Sequence, residues 1–290
     1  MDQYQRMMTK TYIYELLKRC LEEDGCFFGD VTTASLNISG DRSRFFVNVR
    51  GSGTVAALEP IADSIEVFGD LSMKLLHKDG DTVTNENIAI LEGAKKDILA
   101  AERTILNVLG YASGVATKTK LFVDAIEGTD CKICDTRKTT PGLRLLDKYA
   151  VTCGGGTSHR MGLHDAALYK DNHLAGMVDI ASELGTAISC VKEHSGLKFI
   201  EVEVDSIEQL EYVLLLPVDI ILLDNMPLEM LRAAVVLRND TQTSVLLEAS
   251  GGVTLNTVRS IAETGIDRIS IGGLVHQATW VDVGLDAIDE

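Results

Sequence analysis

Six short apolar runs, at 132–134, 167–170, 199–204, 220–223, 245–248 and 268–271, recur through the second half of the 290-residue chain. Each is too short to be a core helix, is separated from the next by residues of helical character, and gives way at its C-terminal end to polar or glycine-rich residues. Strands that alternate with helices pair in parallel, because every helix returns the chain to the same edge before the next strand starts. The pattern predicts parallel β/α units closing into a barrel. It also predicts that the strand ends converge on one face: Asp135-Thr136-Arg137-Lys138, Asp171-Asn172-His173, Asp205, Asp224-Asn225, Ser250-Gly251-Gly252 and Gly272-Gly273.

The first half reads differently. Ile13, Leu16, Leu17, Cys20 and Leu21 fall at helical spacing and stop near Asp24-Gly25. Phe45, Val47 and Val49 alternate as in a half-buried strand, and further strand-like runs at 71–76 and 88–91 flank the turn Asp79-Gly80-Asp81. Two helices follow, over 94–112 and 114–126. The expected organisation is an N-terminal α+β domain over 1–113 and a barrel over 114–274, with the tail 275–290 packing back on the first domain.

Charge gives the first functional signal. The chain carries a formal net charge of -16, yet Arg137, Lys138, Arg144, Lys148, His159, Arg160, Lys170 and His173 crowd between 134 and 173. Only Asp135, Asp147, Asp165 and Asp171 oppose them there. Solubility and repulsion ask for nothing of the kind, so the segment reads as a receptor for a small, highly anionic ligand. The overall acidity excludes a nucleic-acid partner, because it repels phosphate backbones. No apolar run approaches the ~20 residues that span a bilayer. Residues 1–10 lack the apolar core of a signal peptide, and the six cysteines are too sparse for a disulfide framework. A cytoplasmic protein is expected. Cys131-Lys-Ile-Cys134 lacks both a second ligand pair and a helix N-terminus, and reads as two small apolar residues of a strand.

Arg137, Lys138, Arg160 and Lys170 are the central cationic group, since arginine's planar fork holds a carboxylate in a bidentate pair. Gly154-Gly155-Gly156 precedes His159-Arg160 and would let the backbone turn tightly and present both against a ligand. Glu201 and Glu203, two apart on a strand, share a face, with Glu203 nearer the rim. Interior carboxylates are costly unless paired, so Glu203, Asp224 and Glu248 are candidates to face the cations, bind sugar hydroxyls or approach a magnesium ion. Ser250-Gly251-Gly252 and Ile271-Gly272-Gly273 end the last two strands, where barrels form phosphate sites from backbone N–H groups.

These residues carry a family likeness. Asp135-Thr-Arg-Lys-Thr-Thr-Pro-Gly142, Gly154-Gly-Gly156, His159-Arg160 and Leu168-Tyr-Lys-Asp-Asn-His173 resemble quinolinate phosphoribosyltransferase. So do Gly29-Asp30-Val31-Thr32-Thr33, Glu102-Arg103, Glu201-Val-Glu-Val-Asp205, Leu222-Leu-Asp-Asn225 and Glu248-Ala-Ser-Gly-Gly252, so the likeness covers nearly the whole chain. It implies an N-terminal α+β sandwich-like domain followed by an open, incomplete parallel β/α barrel, in a homodimer or higher homo-oligomer with shared sites. It implies that Arg137, Lys138, His159, Arg160 and Lys170, with Thr136 beside them, hold the two carboxylates of quinolinate, and that Arg103 arrives from a partner subunit. Glu203 and Asp224 would receive the ribose of phosphoribosyl pyrophosphate and the Mg2+ that travels with it, while Ser250, Gly251, Gly252, Ile271, Gly272 and Gly273 would cradle its phosphate. No organic cofactor is implied. Thr152 stands where many members carry Arg, and Ser158 where Asn is frequent. Two alternatives remain open: a paralogue acting on another aromatic acid, such as the relative associated with molybdate transport, and a non-catalytic anion-binding regulator.

Overall fold

The computed structural model describes residues 10–288 apart from 37, 39, 178 and 242. The reading of residues 1–9 as lacking a signal-peptide core therefore lies outside the described residues. The chain forms two compact units, one comprising 1–120, 140–155 and 274–290 and the other 121–139 and 156–273.

Five strands open the first unit: β1 (Arg42–Arg50), β2 (Ser52–Thr54), β3 (Leu71–Leu75), β4 (Thr82–Thr84) and β5 (Asn87–Ala94). The second unit holds β6 (Lys132–Cys134), β7 (Ala167–Tyr169), β8 (Ile200–Val204), β9 (Ile220–Asp224), β10 (Leu246–Ser250) and β11 (Arg268–Ser270), and the chain ends with β12 (Asp282–Ala287) back in the first. In the first unit β12-β1-β5-β3 form an antiparallel sheet, and β2 and β4 pair as a separate ribbon. Phe45, Val47 and Val49 on β1 turn inward, opposite Leu91 and Ala89 of β5 and Leu285 and Val283 of β12. Helix Lys10–Glu23 lays Ile13, Leu16 and Leu17 into the same core.

The 31-residue helix Lys95–Ala125 replaces the two helices expected over 94–112 and 114–126. Gly114, the expected start of a second helix, and Gly110 within the first serve another purpose. A Cβ at Gly114 would run into the carbonyl oxygen of Thr279, and one at Gly110 into that of Val281, so these glycines let the C-terminal tail cross the helix at close range. Ser113 Oγ accepts the amide of Ala56 at 3.1 Å. The helix runs unbroken through 113/114, and the first segment of the first compact unit reaches residue 120. Gly154 is explained in the same way: a Cβ there would meet the Ala116 carbonyl, so the glycine run begins as a helix-packing device of the first unit.

In the second unit six parallel strands take the order β6-β11-β10-β9-β8-β7, an open sheet whose edge strands β6 and β7 are not joined to each other. Strands covered on both faces are apolar throughout. Val202, Ile221, Leu223, Leu247 and Ile269 accordingly have 0% exposure. The exception is a line of interior polar residues, Glu201, Glu203, Glu248 and Ser270, whose partners form the site. Among the described residues no helix is long and apolar enough to cross a membrane.

The first unit also contains a buried acid. Asp79 Oδ1 accepts the Leu58 amide at 2.9 Å and Oδ2 accepts the Tyr149 hydroxyl at 2.6 Å. Enclosure of its carboxyl outweighs both hydrogen bonds and, with Glu59 nearby, raises its pKa to about 6. The residue as a whole keeps some exposure, so the energetic effect is smaller than full burial would give. A raised acid is favoured protonated in the fold. The stability is fully present below the unfolded pKa near 4 and is lost as pH rises through about 6. Chemical denaturation from pH 4 to pH 7 is expected to show about 2 kcal/mol of pH-dependent destabilisation that Asp79→Asn removes. An identical pH dependence in the variant would contradict this origin.

Candidate active site

All six strands of the second unit end at one cavity of about 360 Å³. Parallel register explains the convergence: Asp224, Ser250, Ser270 and Cys134 are consecutive partners across β9, β10, β11 and β6. Thr136, Arg137 and Lys138 follow β6, Lys170 follows β7, Glu203 and Asp224 sit near the ends of β8 and β9, and Ser250 and Ser270 close β10 and β11. His159 and Arg160 complete the wall, with Asp135, Leu168, Leu222 and Glu248.

His159 and Arg160 reach the cavity because their loop pairs with the free side of β6. Thr157 donates its amide to the Ile133 carbonyl at 2.7 Å, and its own carbonyl accepts the Asp135 amide at 3.1 Å. Asp135, 1% exposed, then anchors the loop, taking the His159 amide at 2.8 Å and the Ser158 hydroxyl at 2.9 Å. Beyond it Asp165 accepts the amides of Met161 and Gly162 and the Lys198 ammonium, the last at 2.8 Å. Burial works against its ionisation, but Lys198 and the two amides prevail and bring it to about 2.

The cavity wall divides by charge. On the β6 side stand Arg137, Lys138 and Arg160. Arg137 and Lys138 are exposed and, among the described residues, make no ion pair. Arg160 is buried, donates to the Ala166 carbonyl at 3.3 Å, and has its pKa lowered by burial and by the neighbouring charge of Arg137. Two guanidiniums that repel each other in a partly dry cavity are relieved by a bound anion. On the β8–β9 side stand Glu203 and Asp224, and Lys170 joins the halves through its ammonium, 2.5 Å from Glu203 Oε2. Lys170 is held in turn by the short helix Asp171–Leu174, whose His173 Nδ1 accepts the Lys170 amide at 3.0 Å. Asp224 Oδ2 accepts from Asn225 Nδ2 at 2.8 Å.

Of the residues expected at the site, Thr136, Arg137, Lys138, His159, Arg160, Lys170, Glu203, Asp224 and Ser250 line this one cavity. Gly251 and Gly252 follow at φ 100° and 59°, and a Cβ on Gly251 would collide with Asn225 Oδ1, so this turn requires glycine. Gly272 and Gly273 lead into the short helix Gly273–His276, and Ser270 rather than Ile271 forms the wall beside them. Arg103 belongs to the other unit, where it is exposed on helix Lys95–Ala125. Leu168 and Leu222, which give the cavity its apolar patches, were not expected, although both immediately precede or sit within the strand-end motifs. Cys131 and Cys134 are 8% and 0% exposed, and burial pushes the Cys131 thiol up to about 12, as inert strand residues require.

The family model described as "Quinolinate phosphoribosyl transferase, C-terminal domain" matches residues 115–286, and the one described as "Quinolinate phosphoribosyl transferase, N-terminal domain" matches residues 30–113. The chain belongs to the quinolinate phosphoribosyltransferase family. A nicotinate-nucleotide pyrophosphorylase [carboxylating] of Mycobacterium leprae is 39% identical over 276 residues, covering 94% of this chain and 96% of the relative. The chloroplastic protein of that name from Arabidopsis thaliana is 37% identical, covering 93% of this chain and 81% of its own. The solved nicotinate-nucleotide pyrophosphorylase of Francisella tularensis superposes with a TM-score of 0.89 at 33% identity, covering 97% of each chain. The cavity described above thus lies within a quinolinate phosphoribosyltransferase C-terminal domain.

Proposed function

We propose that this cavity joins quinolinate to the phosphoribosyl group of phosphoribosyl pyrophosphate, releasing pyrophosphate and CO2 and leaving nicotinate mononucleotide. The observation that carries the reading is the division of one wall into a cationic half, Arg137, Lys138 and Arg160, and a carboxylate half, Glu203 and Asp224. The first half suits a pyridine dicarboxylate, because each guanidinium can grip a carboxylate in two parallel hydrogen bonds. The second suits a ribose diol, whose hydroxyls donate to carboxylates. Lys170, with its ammonium 2.5 Å from Glu203 Oε2, links the two halves of the wall.

In this arrangement the ring nitrogen of quinolinate directs its lone pair at the anomeric carbon. The N–C bond forms as the C–O bond to pyrophosphate breaks, and the electron pair leaves with the pyrophosphate oxygen. The reacting carbon passes through an oxocarbenium-like state next to Glu203 and Asp224, while preorganised cations favour the departing anion. The ring nitrogen is then a pyridinium. It stabilises the carbanion left when the adjacent carboxylate departs as CO2, and a proton from water completes the product. Leu168 and Leu222 limit water around that carboxylate, which favours its conversion into a neutral gas.

Glu203 and Asp224 fit Mg2+, since two carboxylates on neighbouring strands together with phosphate oxygens form the hard, all-oxygen set this ion prefers. When bound it neutralises charge on the pyrophosphate. The electron balance above calls for no organic cofactor. Backbone N–H groups of the Ser250-Gly251-Gly252 turn and of Ile271-Gly272-Gly273 are assigned to the phosphate. Arg103, exposed in the first unit, is assigned to the site of a second copy in a homo-oligomer. The free cysteines suit a reducing cytoplasm.

Purified protein supplied with Mg2+, quinolinate and phosphoribosyl pyrophosphate is expected to yield nicotinate mononucleotide, pyrophosphate and CO2 in equal amounts. Saturating binding of both substrates without any product would favour an anion-binding regulator, and turnover only with another aromatic acid would favour a paralogue. Sharing of sites between copies is tested by mixing Arg103→Ala and Arg160→Ala chains. Each alone is expected to be nearly inactive, and the mixed oligomer to recover roughly a quarter of normal activity, as one intact site in a statistically mixed dimer population requires. Confirmed mixed oligomers that stay inactive would exclude donation in trans.

A further inference from the structure

We infer that His159 is a positioning residue: gripped by two buried glutamates, its ring fixes the backbone at Arg160 and so aims that guanidinium into the cavity, without donating to the substrate itself. The inference rests on Arg160 being a carboxylate ligand, as argued above, and otherwise on geometry.

Both ring nitrogens are already engaged. Nδ1 accepts the Arg160 amide at 2.8 Å, so it presents a lone pair and the ring proton belongs on Nε2. Nε2 in turn lies 2.9 Å from Glu201 Oε2 and 3.3 Å from Glu248 Oε1. Both carboxylate oxygens are fully buried and within ion-pair distance of Nε2, so the ring's one N–H is committed to this acidic pair. With the His159 amide committed to Asp135, no polar hydrogen of this residue remains for a ligand. Its side chain is 7% exposed, and the ring sits edge-on to Phe199 with centroids 5.3 Å apart.

The floor beneath it is built across three strands. Glu201 lies on β8, and Glu248 on β10 is the direct register partner of Arg268 on β11. Arg268 Nε donates to Glu248 Oε2 at 2.7 Å, and its guanidinium stands 5.9 Å from the Phe199 ring centroid. Both glutamates are 0% exposed, which is tolerable only because opposing groups surround them.

Two other readings of this cluster fail on the same contact. His159, Glu201 and Glu248 place ligand atoms within 4.8 Å of one another, as a metal site would. A nitrogen that carries the ring's proton has no lone pair for a metal, and Arg268 already supplies the cation. The two carboxylates, acting against burial, pull the imidazole up to about 9. A second proton on Nδ1 would nevertheless point at the Arg160 amide hydrogen, so the amide contact is the better guide to the ring's state.

The deciding experiment is nitrogen NMR on full-length protein carrying labelled histidine, with the His159 signals assigned by His159→Asn. Expected is an unprotonated Nδ1 and a protonated Nε2, both unmoved by saturating quinolinate. Protonation of Nδ1, or displacement of either signal by quinolinate, overturns the inference. Kinetics provide a second arm. Glu248→Gln keeps the shape and removes the charge, and is expected to raise the KM for quinolinate about tenfold to a hundredfold while leaving that for phosphoribosyl pyrophosphate within about twofold. His159→Asn, which keeps an acceptor near the Nδ1 position, is expected to retain clearly more activity than His159→Ala, and equal losses would contradict positioning. Should Glu248→Gln not fold, the NMR of the unaltered chain decides alone. If Arg160→Ala leaves quinolinate affinity unchanged, the ligand assignment of Arg160 fails whatever the NMR shows.

Discussion

Parallel register in the second unit is the constraint on which the rest depends. Because β9, β10, β11 and β6 align Asp224, Ser250, Ser270 and Cys134 at one level, loops that are distant in sequence open onto a single cavity. Each strand contributes a chemically different end: a basic turn after β6, an ammonium after β7, carboxylates on β8 and β9, and a serine-glycine turn after β10. A shift by one residue in any strand would exchange inward and outward side chains, burying Val202 or Leu223 against the cavity and turning Glu203 toward the helices. Fold and site are therefore not separable, since the apolar alternation that packs the strands also aims the charges.

The cluster of cations is held at an electrostatic cost that neighbouring groups partly offset. Burial and the charge of Arg137 lower the pKa of Arg160, while Asp135 and Asp165 secure the loop that carries it. The remaining positive potential is what a dianionic substrate completes. On the other side Lys170 and Glu203 form an ion pair, which in the proposed reaction is redistributed between a carboxylate of one substrate and a hydroxyl of the other. Beneath this wall lie buried His159, Glu201 and Glu248, and half-buried Arg268 ties β11 to β10 through its contact with Glu248.

Much of this was legible in the sequence. The six strands stood out because short apolar runs ended repeatedly in polar turns, and the ends named the residues from Thr136 to Ser250 that line the cavity. Other features depend on contacts that no local pattern records. Gly114 read as the start of a second helix, but the tail that crosses it and Gly110 lies 165 or more residues further along, which is the separation of Gly114 from Thr279. The ribbon of β2 and β4 and the strand β12 are short or interrupted by glycine, so period-two alternation is weak there. Glu201 could be placed on the same face as Glu203, yet its encounter with His159 and Glu248 needs the cross-strand register. The likeness groups His159 with the ligand-binding cations, while the contact of its Nδ1 with the Arg160 amide shows only in the folded loop.

The central claim is that the cavity is a dicarboxylate receptor built from cations at strand ends. Its most direct test is calorimetric titration of the protein with quinolinate and with nicotinate, which keeps the ring but lacks one carboxylate. Loss of one charge-assisted bidentate contact is expected to weaken binding by about tenfold to a hundredfold, with the difference shrinking as salt is added. Equal affinities for the two acids, insensitive to salt, would contradict the account.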